Sequence, residues 1–120
     1  MFNFEKLDVW QKAVDFADLV YRVTKIFPND ERFGLTNQMR RAAVSIASNI
    51  AEGSSRSSKT DYARFVEIAT GSAFEAVSQA FIAKRQNFLG ESDFQSIYTA
   101  AEELGRMLSG LRNYLSAAAN

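Results

Sequence analysis

The residues best suited to chemistry in this chain lie in one short run, SSRSSK, residues 54–59. Ser54, Ser55, Ser57 and Ser58 supply hydroxyl donors, and Arg56 and Lys59 supply positive charge. A helix starting just after the run would add free backbone N–H groups and the positive end of its dipole. Together these groups make a candidate contact for a phosphate, and so for RNA or DNA. The plainer reading is a solvated loop whose serines cap the neighbouring helix.

Other chemistries are poorly supplied. The 120 residues contain no histidine and no cysteine. A Ser-His-Asp arrangement and a thiolate nucleophile are therefore both unavailable. Helical bundles that hold di-iron sites use inward Glu and Glu-x-x-His pairs. No Glu-x-x-Glu or Glu-x-x-Asp pair falls on an apolar helix face here, so no metal site and no cofactor is expected. No glycine-rich phosphate loop is present. The sequence reads as that of a protein that is not an enzyme.

Lys plus Arg equals Asp plus Glu, 14 each, for a formal net charge of zero. That argues against bulk attraction to nucleic acid or to an anionic membrane, and leaves a local basic patch open. The start, MFNFEKLDVWQ, carries charges where a secretion signal needs an apolar run, and no apolar stretch reaches membrane-spanning length. With no cysteine to form disulfides, a cytoplasmic location is expected.

The elements that would position the loop are helices. One proline and six glycines interrupt 120 residues. The apolar residues recur at three- and four-residue spacing. The predicted helices cover about 5–26, 36–52, 58–88 and 92–118, within one domain spanning 1–120. Pro28 ends the first. Thr36 or Asn37 is the expected cap of the second, and Gly53 the expected left-handed stop after it. Ser57 or Ser58 caps the third, and Ser92 the fourth. The fourth has the cleanest apolar stripe, from Phe94 through Ile97, Ala101, Leu104, Leu108 and Leu111 to Leu115. Short loops make successive helices antiparallel neighbours, so the expected fold is all-α, an up-down-up-down four-helix bundle.

Two further patterns bear on function. Helices 1, 3 and 4 carry wide apolar arcs, near half the circumference on helices 1 and 3, where one core demands less. The second stripes, Val9, Phe16 and Val23 on helix 1 and Phe74, Val77 and Phe81 on helix 3, are the expected interface of a homo-oligomer. Polar residues run beside the apolar face of helix 2 as Arg41, Ser45, Asn49 and Glu52. A comparable stripe on helix 3 includes Glu67 and Glu75. These read either as a buried network fixing helix register or as an ordinary solvated face. Gly71, inside a long helix, is expected to mark the close approach of another helix, or a kink.

The segments LDVWQKA (7–13), FP (27–28), FGLTNQMRRAAVSIASNIAEGSSR (33–56) and FVEIATGSAFEA (65–76) resemble the 23S ribosomal RNA intervening-sequence proteins. The resemblance covers the first three helices in register, and the fourth in pattern. It implies an antiparallel four-helix bundle assembling as a ring-shaped homopentamer, in a bacterial family whose biochemical role is not established. The accessory variability proteins of diversity-generating retroelements are similar more distantly. Those are strongly basic and bind nucleic acid and a reverse transcriptase, whereas this chain has zero net charge. The function expected is a non-enzymatic oligomeric scaffold or accessory protein. Direct nucleic-acid binding through the serine-rich rim and a protein-only interaction module are the alternatives.

Overall fold

Helix-favouring residues fill almost the whole chain, and the chain obeys them. The computed structural model describes residues 1–119, with side chains through residue 117. Four α-helices follow in order: α1 (Asp8–Thr24), α2 (Leu35–Ser54), α3 (Lys59–Arg85) and α4 (Glu91–Ala119). No strand occurs among the described residues. Each helix packs against its neighbours in the chain, and α1 closes the square against α4, while the backbones of diagonal helices stay apart among the described residues. The antiparallel register of α2 and α3 shows in two places. Gly53 sits against Tyr62 and Phe65 at one end, and Ser45 meets Ser72 midway. The bundle measures 47 × 23 × 20 Å.

The core is layered from unequal partners. Phe16, Met39, Ile46, Ile50, Ile97, Leu104 and Leu108 bring large side chains, all fully buried. The third helix faces them mostly with alanine, at positions 63, 69, 73, 76, 80 and 83. Small inward residues let α3 lie close to α2 and α4. Its larger side chains Ile68, Phe74, Phe81 and Ile82 are left on the outside.

Several sequence expectations change. The first helix starts later than residue 5. Asn3–Lys6 forms a separate 3-10 turn, and extended Leu7 breaks it from α1. The Phe2 N–H donates to Glu5 Oε2 at 2.8 Å, and Phe4 packs on Trp10 with ring centres 4.8 Å apart. These contacts hold the lead-in as its own turn. The second helix begins at Leu35, with the Leu35 N–H donating to the Glu31 carboxylate at 3.2 Å, so Thr36 is a buried helical residue and not the cap. The fourth helix likewise begins one residue before Ser92.

Gly53 is not a left-handed stop. It lies within α2, and no glycine among the described residues has a positive φ. An added Cβ there would sit 2.8 Å from Phe65 Cβ and 3.0 Å from Tyr62 Cδ1. The glycine is needed because α3 crosses that close. The left-handed residue is Asn87, φ 64°, which turns the chain after α3. Ser58 does cap α3, its Oγ accepting the Asp61 N–H at 3.1 Å.

The α1 half of the predicted oligomer interface is also overturned. Val9, Phe16 and Val23 are core residues, Phe16 only 1% exposed. A corner helix faces two neighbours, here α2 and α4, so a half-circumference arc is filled within one chain. On α3 the outcome differs: Phe74 is 72% exposed, Phe81 is exposed and Val77 is half-buried.

Candidate functional site

The α2–α3 loop brings the SSRSSK side chains together but largely commits them to the chain itself. The Ser54 hydroxyl donates to the Ala51 carbonyl at 2.7 Å, and Ser55 donates to the Glu52 carbonyl at 2.6 Å. Ser58 is used as the cap. Arg56 pairs with Glu52 at 2.8 Å and lies over the Phe65 ring at 4.6 Å. Lys59 stands over the Tyr114 ring at 5.5 Å. Ser57 is exposed. An anion arriving here finds the Ser54 and Ser55 protons donated to carbonyls and Arg56 paired with Glu52, while Ser57 and Lys59 form no side-chain hydrogen bond or ion pair among the described residues. The exposed Phe2 and the 3-10 turn flank Ser54 and Ser55 across a shallow groove of about 390 Å³, lined also by Ala51 and Glu52.

The predicted polar network resolves into separate pairs. Asn49 Nδ2 donates to the Ser45 carbonyl at 2.8 Å and to Ser45 Oγ at 3.0 Å, and Ser45 Oγ meets Ser72 Oγ at 2.9 Å. Glu67 is held by Arg112 of α4 at 2.6 Å, and Glu52 by Arg56. Arg41 and Glu75 are exposed and join none of these contacts. The arginine that does cross between helices is its neighbour Arg40. Its Nε donates to Thr24 Oγ1 at 2.9 Å, while Thr24 Oγ1 donates to the Val20 carbonyl at 2.7 Å. The Arg40 guanidinium also covers the Tyr21 ring at 4.7 Å. Thr24 standing in an otherwise apolar stripe of α1 was the signal for this contact.

Two ionisable groups are shifted. Burial against the bundle raises the Tyr62 phenol above its ordinary value of 10.0. Hydrogen bonds from Lys84 and then Gln95 hold the Glu91 carboxyl below its ordinary value of 4.5. No cluster of three or more metal-ligating side chains occurs among the described residues.

An apolar stretch of surface lies on the outer face of the α3–α4 hairpin. Ala73, Phe74, Val77, Tyr98, Ala101, Glu102 and Gly105 line an apolar groove of about 220 Å³ there. At one end Phe81, Phe94 and Tyr98 form an aromatic cluster with ring centres 4.8–6.2 Å apart. Gly71 and Gly105 both face open space: an added Cβ would meet nothing within 4 Å. The close approach expected at Gly71 is therefore not made by another helix of this chain.

A family model described as 23S rRNA-intervening sequence protein matches residues 5–110. The chain belongs to this family. A solved structure from the S23 ribosomal protein family, of a protein of unknown function from Bacteroides thetaiotaomicron VPI-5482, has a TM-score of 0.80 at 24% identity. The match covers 87% of this chain and 97% of that one. No curated protein matches the chain. Membership in the intervening-sequence family accounts for the four helices and leaves the biochemical role open. No described helix is long and apolar enough to cross a membrane.

Proposed function

We propose that this intervening-sequence protein is a non-enzymatic scaffold that works as an assembly of copies of itself. The observation that carries the reading is the apolar groove between α3 and α4, with Phe74 72% exposed beside it. Contiguous apolar surface of this kind marks an interface. Burying a phenylalanine stabilises by about 1.5–3 kcal/mol, a gain the monomer forgoes at Phe74 and an assembly can recover. The ring of five copies is what the family resemblance implies for the assembled form. Static light scattering on the full chain at micromolar concentration tests the reading. An assembly is expected, and Phe74→Glu is expected to lower its order. A wild-type monomer under those conditions defeats it.

Direct binding of RNA or DNA by the serine-rich loop is the weaker reading, because Ser54, Ser55 and Arg56 are satisfied internally. It requires salt-dependent binding that weakens in Arg56→Ala or Lys59→Ala.

A further inference from the structure

The groove needs an occupant, and a second face of the same chain fits it. Immediately ahead of α2 stands Phe33, 85% exposed, with the Arg32 guanidinium 5.2 Å from its ring centre. Asn37, Arg41, Val44 and Ser48 then follow at helical spacing along the outer edge of α2, all exposed, Val44 by 41%. That edge runs roughly 20 Å from Leu35 to Ser48 at 1.5 Å per residue. It has an aromatic residue at one end, the aliphatic Val44 towards the other, and Asn37 and Arg41 between them. Arg41 makes no hydrogen bond or ion pair among the described residues, unlike Arg40 beside it.

The groove offers a charge opposite to that of the α2 edge and a lining of small residues. Its floor contains Ala73, Ala101 and Gly105. Glycine inside a helix costs about 1 kcal/mol relative to alanine, and nothing within the chain uses the space at Gly105. A helix arriving from outside would use it, because the missing side chain lets the two backbones come close. Glu102 is the charged residue of the groove lining. It forms no ion pair among the described residues, including with Arg106 one turn further along α4. The two faces have no residue in common, the groove being lined from α3 and α4 alone.

We propose that the α3–α4 groove of one copy receives the α2 edge of a second copy, with Phe33 and Val44 as its apolar contacts and Arg41 facing Glu102. The inference rests on the self-assembly reading and specifies its contact surfaces. Such an interface is heterologous, each copy using one face to give and the other to receive, so copies add head to tail and close into a ring when the rotation permits. Zero net charge removes long-range repulsion between the copies.

Charge reversal separates this pairing from assembly in general. The full-length wild type, Arg41→Glu, Glu102→Arg and the double variant Arg41→Glu/Glu102→Arg are compared by sedimentation velocity. Circular dichroism checks that each remains helical, as expected for exposed positions. Each single reversal is expected to weaken association at least ~10-fold by placing like charges together, and the double variant to recover most of that loss. Single variants that assemble like wild type overturn the pairing and leave self-assembly standing. Single variants that weaken without recovery in the double variant also overturn it, since the two residues then act apart. A wild type that stays monomeric overturns both the pairing and the reading beneath it.

Discussion

At the residue scale, the glycines divide by what surrounds them. Gly53 is enclosed by Phe65 and Tyr62, whereas Gly71 looks onto open space. Alanine is the better helix former by about 1 kcal/mol, and overpacking a filled site costs about 1–3 kcal/mol. Gly53→Ala is therefore expected to lower stability in urea unfolding despite its better propensity. Gly71→Ala is expected to raise it by up to about 1 kcal/mol. A stabilised Gly53→Ala would show that α3 can yield at that crossing. Tyr62 adds a pH dependence at the same place. Its folded phenol holds its proton above 10.0, so the unfolded chain ionises first as pH rises. The unfolded state then binds fewer protons, and stability falls with pH from about the unfolded value of 10 upward. Tyr62→Phe should flatten that alkaline limb, which thermal unfolding at stepped pH would reveal. Spacing alone showed neither effect, because a glycine at the end of a periodic stretch looks the same whether it turns the chain or admits a neighbour.

At the element scale, α3 depends on a cap the sequence marked and on partners it did not. Ser58→Ala removes the acceptor for the Asp61 N–H and is expected to cost about 1 kcal/mol, read as a lower melting temperature. Ser58→Asp should retain most of the stability, since a carboxylate caps equally well and suits the dipole. Most of the fold was legible from one dimension. Period, proline and short loops suffice to place four helices, and the alternating alanines of α3 already showed which side lies inward. The candidate site was less legible, for two reasons. A half-circumference apolar arc means a corner position on α1 and an outward patch on α3, and only the pairing of α1 with both α2 and α4 distinguishes them. The serine-rich loop reads as a set of free donors until the carbonyls of Ala51 and Glu52 are seen to take them. Arg40 and Arg41 are adjacent and chemically identical, and the approach of Thr24 alone decides which is engaged.

At the scale of the whole molecule, the four seams of the bundle are unequal. The α2–α3 seam is tightly closed where Gly53 admits Tyr62 and Phe65. The α1–α4 seam is the looser one. A cavity of about 310 Å³ opens along it, walled by Phe16, Leu19, Ala100 and Leu104 and rimmed by Lys12, Asp15, Arg22 and Glu103. The Lys12–Glu103 ion pair across its mouth, 3.3 Å long, is half-exposed and contributes only about 0–1 kcal/mol. Local opening follows the element with the fewest buried apolar contacts. Native-state hydrogen exchange should then find the amides of α1 exchanging through a smaller opening than those of α2 and α3, with the Lys25–Gly34 connection as the hinge. Filling the seam should narrow the gap: Ala100→Leu adds apolar volume beside Leu19 and Leu104 and is expected to slow exchange in α1 selectively. Equal protection of α1 and α3 in the wild type would mean that the bundle opens only as a unit. If the α2 edge and the α3–α4 groove are occupied in the assembly, α1 and the α1–α4 seam remain outside those contacts. Assembly should then protect α2 and α3 further and leave the exchange of α1 unchanged, a difference that exchange measured below and above the association concentration can read directly.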